Sequence, residues 1–174
     1  MSVISDIRDR QHLFLVEAQV ARAYWSAFRI LAHAPMKWRR IHPNAIDPWN
    51  QALNIGYTIL LQKMRSLIMS EGLDPEIGIF HASKSGKDAL VYDLMELFRQ
   101  PIVDLAVIRV FSRQTAPFAT DPHDVIREVA IRCARNCAFH GRVVTRELAM
   151  KLEVARFKKT LTSGLPFVPT YIRL

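Results

Sequence analysis

The sequence predicts an all-α fold, and three observations support that prediction. Apolar residues recur at spacings of three, four and seven along most of the chain. Asp47-Pro48 and Asp121-Pro122 each match a helix N-cap followed by proline at the first helical position. Half of the 174 residues are hydrophobic, which argues against a disordered chain and allows a sizeable core. We therefore expect one helical domain over residues 1–174, with about five main helices.

The first two predicted helices are marked by periodicity and by a clear start signal. The second begins at Asp47-Pro48 and continues to Glu71, where Gly72 is a natural C-terminal stop. The first runs from about Ser5 to Ala32 and has an apolar stripe at helical spacing that consists of Phe14, Ala18, Ala21, Trp25 and Phe28.

Three more helices follow an irregular stretch and a polar loop that ends at Gly86. A third helix is predicted over 88–111, with Pro101 placed to kink or divide it. A fourth is predicted over 121–141 and a fifth over 145–161. The tail, residues 164–174, contains two prolines and is expected to be irregular.

The net charge indicates a class of partner. Lys and Arg number 24 against 16 Asp and Glu, which gives a formal net charge of +8. That excess favours DNA, RNA or an anionic membrane as partner, and charge alone does not choose among them or exclude a basic protein with none. The longest apolar run, Ile55 to Leu61, is too short to span a bilayer, and charges at residues 8–10 interrupt any signal peptide. These features predict a soluble, intracellular protein.

The two cysteines, Cys133 and Cys137, are four residues apart in a helical pattern. Two facing thiols could bind a metal, but a zinc site would need a second pair that the sequence lacks. We expect both to be reduced core residues.

Three scattered groups are candidates for a metal site: Glu17, His81, and the pair Asp93 and Glu96. Glu17 lies close to the apolar stripe of the first helix, where a carboxylate is costly unless it is paired or metal-bound. His81 follows a short apolar segment and precedes a polar loop, which suits presentation of a ring nitrogen to a metal. Asp93 and Glu96 share one helix face, so a cation would relieve their repulsion. One imidazole with two or three carboxylates forms a ligand set for Mg²⁺ or Mn²⁺.

Each candidate also has a simpler explanation. Glu17 could pair with an arginine at the core boundary, and His81 could be a structural or surface histidine. One carboxylate of the third helix could face solvent while the other pairs with Arg99. Taken singly, these residues do not decide between the two interpretations.

Several sequence elements occur in a distinctive order. They are residues 17–25 (EAQVARAYW), 47–57 (DPWNQALNIGY) followed by 72–75 (GLDP), then 78–81 (GIFH) and 93–99 (DLMELFR). Together they resemble the CRISPR-associated spacer-acquisition endonuclease/integrase family, Cas1, strongly from about Leu15 to Val107 and more loosely beyond. The resemblance implies the helical catalytic lobe of that family, which carries out phosphoryl transfer on DNA with Mg²⁺ or Mn²⁺. It also implies a cytoplasmic protein of a prokaryotic cell that does not engage a membrane.

The resemblance also implies roles for individual residues. Glu17, His81 and Glu96 match catalytic metal ligands, and Asp93 is a supporting or alternate ligand. The attacking group in the family is the 3′-hydroxyl of incoming DNA, or water in a nuclease side reaction. Basic residues that could hold the DNA backbone, although each alone could be a plain surface charge, are Arg22, Lys37, Arg39, Arg40, Lys84 and Lys87.

Expectations about assembly follow from the same resemblance. Family members reach the first glutamate only after a β-rich N-terminal domain that helps to build a dimer, whereas here it is residue 17. We therefore expect that domain to be absent and full spacer integration to be impaired. A homodimer, a second adaptation subunit or a separate β-rich chain could complete the assembly on branched or double-stranded DNA.

Two other functions stay open. A non-catalytic DNA-binding or assembly module descended from the family would bind DNA but show no metal-dependent nicking. A small standalone helical interaction protein would show neither metal binding nor salt-sensitive DNA binding.

Overall fold

The computed structural model describes residues 10–78, 88–113 and 121–172, with side chains from residue 15 onward. The described chain is mostly helical, which confirms the predicted fold class, and a short antiparallel hairpin is its only sheet. None of the described helices combines the length and the apolar character needed to cross a bilayer. The elements in chain order are α1 (Arg10–Leu31), α2 (Pro48–Ser70), α3 (Ala89–Phe98), a π-helix (Arg99–Asp104), α4 (Leu105–Ser112), α5 (Pro122–Ala134), β1 (Asn136–Phe139), β2 (Arg142–Thr145) and α6 (Arg146–Ser163).

Helix α2 forms the centre of the core and contacts α3, the π-helix, α4, α5 and α6. It begins as predicted, because the Asp47 side chain accepts a hydrogen bond from the Asn50 backbone N–H at 2.9 Å. Gly56 lets α2 approach the π-helix closely, since a Cβ at this position would lie 2.5 Å from Val103 Cγ1. The central helix therefore depends on a glycine for packing space.

The third predicted helix is divided by the π-helix Arg99–Asp104, which contains Pro101. Proline has no backbone N–H, so a regular α-helical hydrogen bond is lost there. The widened turn continues until the Leu105 N–H donates to the Gln100 carbonyl, and α4 then resumes the regular helix. The prediction that Pro101 kinks or divides this helix is confirmed.

The prediction that the fourth helix extends to Gly141 was wrong. Helix α5 ends at Ala134, and residues 136–145 form the β1–β2 hairpin, in which Cys137 lies opposite Val144. His140 and Gly141 both have positive φ, of 46° and 75°, which suits a two-residue hairpin turn. The β-branched run Val143–Thr145 favours a strand over a helix there.

The two cysteines therefore do not share a helix. Cys133 lies on α5 and Cys137 on β1, and both are buried and free, as expected for core residues. Burial raises the pKa of both thiols, so they are protonated and unreactive at neutral pH.

Among the side chains that the structure describes, those of α1 are buried mainly in its C-terminal part. Phe28 is buried and Trp25 half-buried, whereas Ala18 and Ala21 of the predicted apolar stripe are exposed. Phe28 stacks on Trp38 with ring centroids 5.2 Å apart, which ties the helix end to the following loop. The segment 17–20, which begins with Glu17, is exposed.

The chain beyond α6 folds back along the molecule. Gly164, with a φ of 68°, ends α6, and residues 165–172 have no regular secondary structure. Phe167 packs edge-on against Phe157 of α6 at 5.2 Å, and Ile172 is buried. This returning segment, residues 165–172, is called the tail below.

Candidate active site

Two of the predicted metal ligands, Glu17 and Glu96, line one cavity of about 680 Å³. Glu17 comes from the exposed part of α1 and Glu96 from the last turn of α3, so residues 79 positions apart in sequence lie around one space. Val16, Val20 and Ala21 of α1 supply an apolar wall. The structure therefore brings together two carboxylates from different helices beside an apolar surface.

A buried carboxylate under the cavity connects three helical elements. Asp104, at the end of the π-helix, is only 3% exposed. It accepts hydrogen bonds from the hydroxyls of Tyr24 on α1 and Tyr57 on α2, the second at 2.5 Å. Tyr24 lies two helical turns after Glu17, so its bond to Asp104 fixes where α1 presents that glutamate.

Burial and charge set the protonation of this network. Burial raises the pKa of Asp104, while hydrogen bonds from the two tyrosines and the charge of Arg99 oppose that shift. Burial, followed by the charge of Asp104, raises the pKa of Tyr24 and Tyr57. Both phenols are therefore protonated at neutral pH and act as donors to the buried carboxyl group.

Arg99 links the network to the cavity. Its guanidinium lies 4.4 Å from the ring centroid of Tyr57 and forms an ion pair with Glu96. The simpler interpretation of the third helix, that one of its carboxylates pairs with Arg99, thus holds for Glu96. The same contact orients the Glu96 carboxylate at the cavity wall.

The other two predicted metal ligands do not join this cavity in the described part of the chain. Asp93 is half-buried on α3 and is not one of the lining residues. His81 lies outside the described residues. Among the residues that are described, no group of three or more His, Cys, Asp and Glu could hold a metal ion.

The donor chemistry of the cavity nevertheless fits a hard divalent cation. Glu17 and Glu96 offer carboxylate oxygens, which Mg²⁺ and Mn²⁺ prefer, and Mg²⁺ is commonly held by only one or two carboxylates together with phosphate and water. The cavity is large enough to admit a phosphate with its water molecules.

The predicted DNA-binding residues fall into three groups: exposed residues, residues outside the described chain, and Arg40. Arg22, Lys37 and Arg39 are exposed. Lys84 and Lys87 lie outside the described residues.

Arg40 differs from the others because it is directed inward. Its guanidinium donates to Asn50 Oδ1 at 2.9 Å and to Asn54 Oδ1 at 2.7 Å, and burial lowers its pKa. The contacts brace the loop before α2 against that helix. Arg40 also lines a second cavity, of about 490 Å³, that shares Tyr57 and Arg99 with the first.

Sequence reasoning did not find the residues that support the cavity. Asp104 gave a usable signal, because an acidic residue between Val103 and Leu105 in an apolar run needs a buried partner. Tyr24 and Tyr57 gave no such signal, since aromatic residues at helical spacing usually indicate core packing. Their role depends on a tertiary contact with Asp104.

Comparison with known proteins identifies the family to which the chain is similar. It matches the family described as CRISPR associated protein Cas1 over residues 1–130. It is 36% identical over 122 residues to CRISPR-associated endonuclease Cas1 1 of Saccharolobus solfataricus. That alignment covers 68% of this chain and 34% of the relative.

Solved structures share the fold. A casposase bound to integration product superimposes with a TM-score of 0.73 at 24% identity, over 92% of this chain and 53% of that one. A TtCas1–DNA complex superimposes with a TM-score of 0.58 at 22% identity, over 86% of this chain and 53% of that one. The chain thus spans between a third and about a half of the length of these proteins.

Proposed function

Because this chain belongs to the Cas1 family, we propose that it is a metal-dependent DNA endonuclease/integrase lobe that transfers phosphoryl groups on DNA. The observation that carries the proposal is the shared cavity of Glu17 and Glu96. Relatives named as endonucleases, together with similar folds solved with DNA or with an integration product, support it.

In this proposal Glu17, Glu96 and His81 hold Mg²⁺ or Mn²⁺, with Asp93 as a supporting ligand. The bound cation supplies charge stabilisation to a phosphate in its transition state. The protein itself orients the ligands, because Arg99 fixes Glu96 and the bond from Tyr24 to Asp104 fixes α1. The apolar residues Val16 and Val20 line one side of the cavity.

DNA is proposed to bind mainly through its phosphates. The net charge of +8 supports this, and the exposed residues Arg22, Lys37 and Arg39 are available for backbone contacts, with Lys84 and Lys87 as further candidates. Arg40 contributes by holding the preceding basic loop against α2. Affinity should therefore fall steeply with salt and depend little on sequence.

A second candidate function is a non-catalytic DNA-binding or assembly module. The ion pair between Glu96 and Arg99 favours it, because the arginine can neutralise this carboxylate without a metal ion. The two candidates differ in one measurable property, which is strand cleavage that requires a divalent cation.

The test measures the rate at which the protein nicks branched DNA in the presence of Mn²⁺ or Mg²⁺. A parallel sample with EDTA removes the metal ion. Glu17→Gln, Glu96→Gln and His81→Ala should each lower the rate by about 100-fold or more, the scale of a lost transition-state contact. Glu147→Gln is the matched control, because that exposed glutamate pairs with Lys63 and does not line the cavity. Nicking that survives EDTA, or that is unchanged in Glu17→Gln and Glu96→Gln, would rule out the proposed enzyme.

Two-ended integration is proposed to need more than one copy of this chain. Both target strands must be attacked at a fixed separation, and one copy carries one Glu17 and one Glu96. A loosely held second site should be slow, since a misplacement of about 1 Å can cost ~100-fold in rate. An integration assay with and without a β-rich partner domain tests this, and efficient two-ended products from monomeric protein alone would contradict it.

A further inference from the structure

The tail places an aromatic side chain at the candidate active site. Tyr171 is 72% exposed and lines the same cavity as Glu17 and Glu96. It is distant from both glutamates in sequence and belongs to a segment without regular secondary structure. An exposed aromatic residue beside two candidate metal ligands is a natural surface for a planar ligand.

The residue before Tyr171 is anchored by polar contacts. The Thr170 backbone N–H donates to Glu153 Oε1 at 2.7 Å, and Glu153 is 1% exposed on α6. The Thr170 hydroxyl accepts from Arg156 Nη1 at 2.6 Å and lies 2.8 Å from His140 Nε2. Arg156 in turn forms an ion pair with Glu153 at 2.5 Å.

The residue after Tyr171 is anchored by apolar packing, because Ile172 is buried in the core. Tyr171 lies between two residues that are both held against the protein, and it lines the cavity while remaining largely exposed. Its position is therefore fixed by its neighbours, although its own ring is largely in solvent.

The cavity combines two chemistries that suit a nucleotide. Glu17 and Glu96 provide the carboxylates for a cation that would bind a phosphate, and Val16, Val20 and Ala21 form an apolar wall. Its volume of about 680 Å³ is in the range of small-ligand sites. A base paired inside a duplex has no free face, whereas an unpaired base at a branch can stack on an aromatic ring.

We propose that Tyr171 stacks on an unpaired nucleobase next to the phosphate that would bind to a divalent cation at Glu17 and Glu96. This inference rests on the proposed action on DNA and specifies the substrate as DNA with an unpaired base at the reacting position. The buried Glu153 and its partners serve to hold the ring in place. The phenol hydroxyl is not required, because the contact is made by the face of the ring.

The experiment measures DNA binding by the full chain with a fluorescent base. A forked duplex carries 2-aminopurine at the unpaired position of the branch, since this base is quenched when it stacks on an aromatic ring. Wild-type protein should quench the signal, Tyr171→Phe should behave as wild type within about twofold, and Tyr171→Ala should abolish the quenching. Affinity of Tyr171→Ala for the fork should fall about tenfold, the low end for loss of one stacked base.

Controls separate stacking from other effects. Fully paired duplex should bind wild type and Tyr171→Ala equally, and the matched control Tyr92→Ala alters an exposed tyrosine that does not line this cavity. Equal binding of the fork by wild type and Tyr171→Ala overturns the inference, as does an equal loss in Tyr171→Phe. An equal loss on paired duplex also overturns it.

Nicking is measured in the same samples with Mn²⁺, so the two proposals fail separately. If the protein nicks DNA but Tyr171→Ala does not change fork binding, the stacking role is overturned and the proposed enzyme activity stands. If fork binding depends on Tyr171 but no metal-dependent nicking occurs, the proposed enzyme activity is overturned and the stacking contact stands. Absence of DNA binding by the wild type overturns both.

Discussion

The packing around α2 and the cavity beside α1 are held together by different forces. Around α2, apolar side chains such as Leu53, Leu60 and Met64 are fully buried, and Trp49 stacks on Phe111 at 5.1 Å. At the cavity, a hydrogen bond from Tyr24 to the buried Asp104 joins α1 to the π-helix. The difference indicates that global stability resides in the first region, whereas the geometry of the site depends on a few polar contacts in the second.

Leu53→Ala should have the largest effect on stability. Leu53 is 0% exposed on α2, and removing a buried leucine side chain costs about 2–5 kcal/mol in the free energy of unfolding. Urea denaturation measures the loss. At a temperature where both proteins are folded, Mn²⁺ affinity should stay within about twofold, because Leu53 does not line the cavity. Ile46→Ala, at a residue that is 92% exposed, is the control and should cost less than about 0.5 kcal/mol.

Gly56→Ala should destabilise the same region by about 1–3 kcal/mol through overpacking. The new methyl group would meet Val103 Cγ1 at 2.5 Å, so a buried β-branched side chain must move. Urea denaturation measures the free energy of unfolding of Gly56→Ala, of Val103→Ala and of the variant that carries both substitutions. The combined cost should be smaller than the sum of the single costs, and simple additivity would refute the close approach of α2 and the π-helix.

Tyr24→Phe should affect the site more than the fold. It removes one donor to the buried Asp104, at a cost of about 1–2 kcal/mol, and releases α1 from the π-helix. Mn²⁺ affinity should fall about tenfold, as expected when a residue that orients a ligand is lost. Thr145→Ala is the matched control, because it removes the N-cap of α6 at a similar cost of about 1 kcal/mol. Equal Mn²⁺ affinity in the two variants would contradict a positioning role for Tyr24.

Asp104→Asn should change how stability depends on pH. Burial raises the native pKa of Asp104 above its ordinary value of 3.8, with Tyr24, Tyr57 and Arg99 opposing the shift and Glu96 adding to it. A raised native pKa gives a contribution that is fully present below the unfolded pKa and is lost as pH rises through the native pKa. The wild-type free energy of unfolding minus that of the variant should therefore decline as pH rises above about 4. A difference that is constant between pH 4 and pH 8 would contradict this.

Lys63→Met should have the smallest effect. Lys63 and Glu147 form an ion pair whose side chains are both substantially exposed, and such pairs contribute roughly 0–1 kcal/mol. Denaturation should show a change below about 0.5 kcal/mol, with nicking unaltered. A loss above about 1 kcal/mol would show that this surface contact stabilises the α2–α6 packing.

The apolar region could be read from the sequence more fully than the site could. Asp47-Pro48 and Gly72 marked the limits of α2 because capping and proline geometry are local properties. The hairpin after α5 was missed, since Cys137 also fits a helical spacing four residues after Cys133 and Gly141 was interpreted as a helix end instead of part of a hairpin turn.

The candidate site shows the same limit. Glu17 and Glu96 were chosen from local patterns and from a family resemblance, and the structure places them around one cavity. Tyr24, Tyr57 and Tyr171 could not be assigned from sequence, because their importance arises from Asp104 and from the path of the tail. The prediction that His81 is a ligand lies outside the described residues and stays a prediction.

The most direct test of the central claim is a Mn²⁺ titration of the full chain followed by electron paramagnetic resonance. Wild type should bind one Mn²⁺ per chain, and Glu17→Gln and Glu96→Gln should each weaken that binding by at least about tenfold, because each carries one proposed ligand. Glu147→Gln should bind as wild type. Unchanged Mn²⁺ affinity in both Glu17→Gln and Glu96→Gln would show that the cavity formed by α1 and α3 is not a metal site.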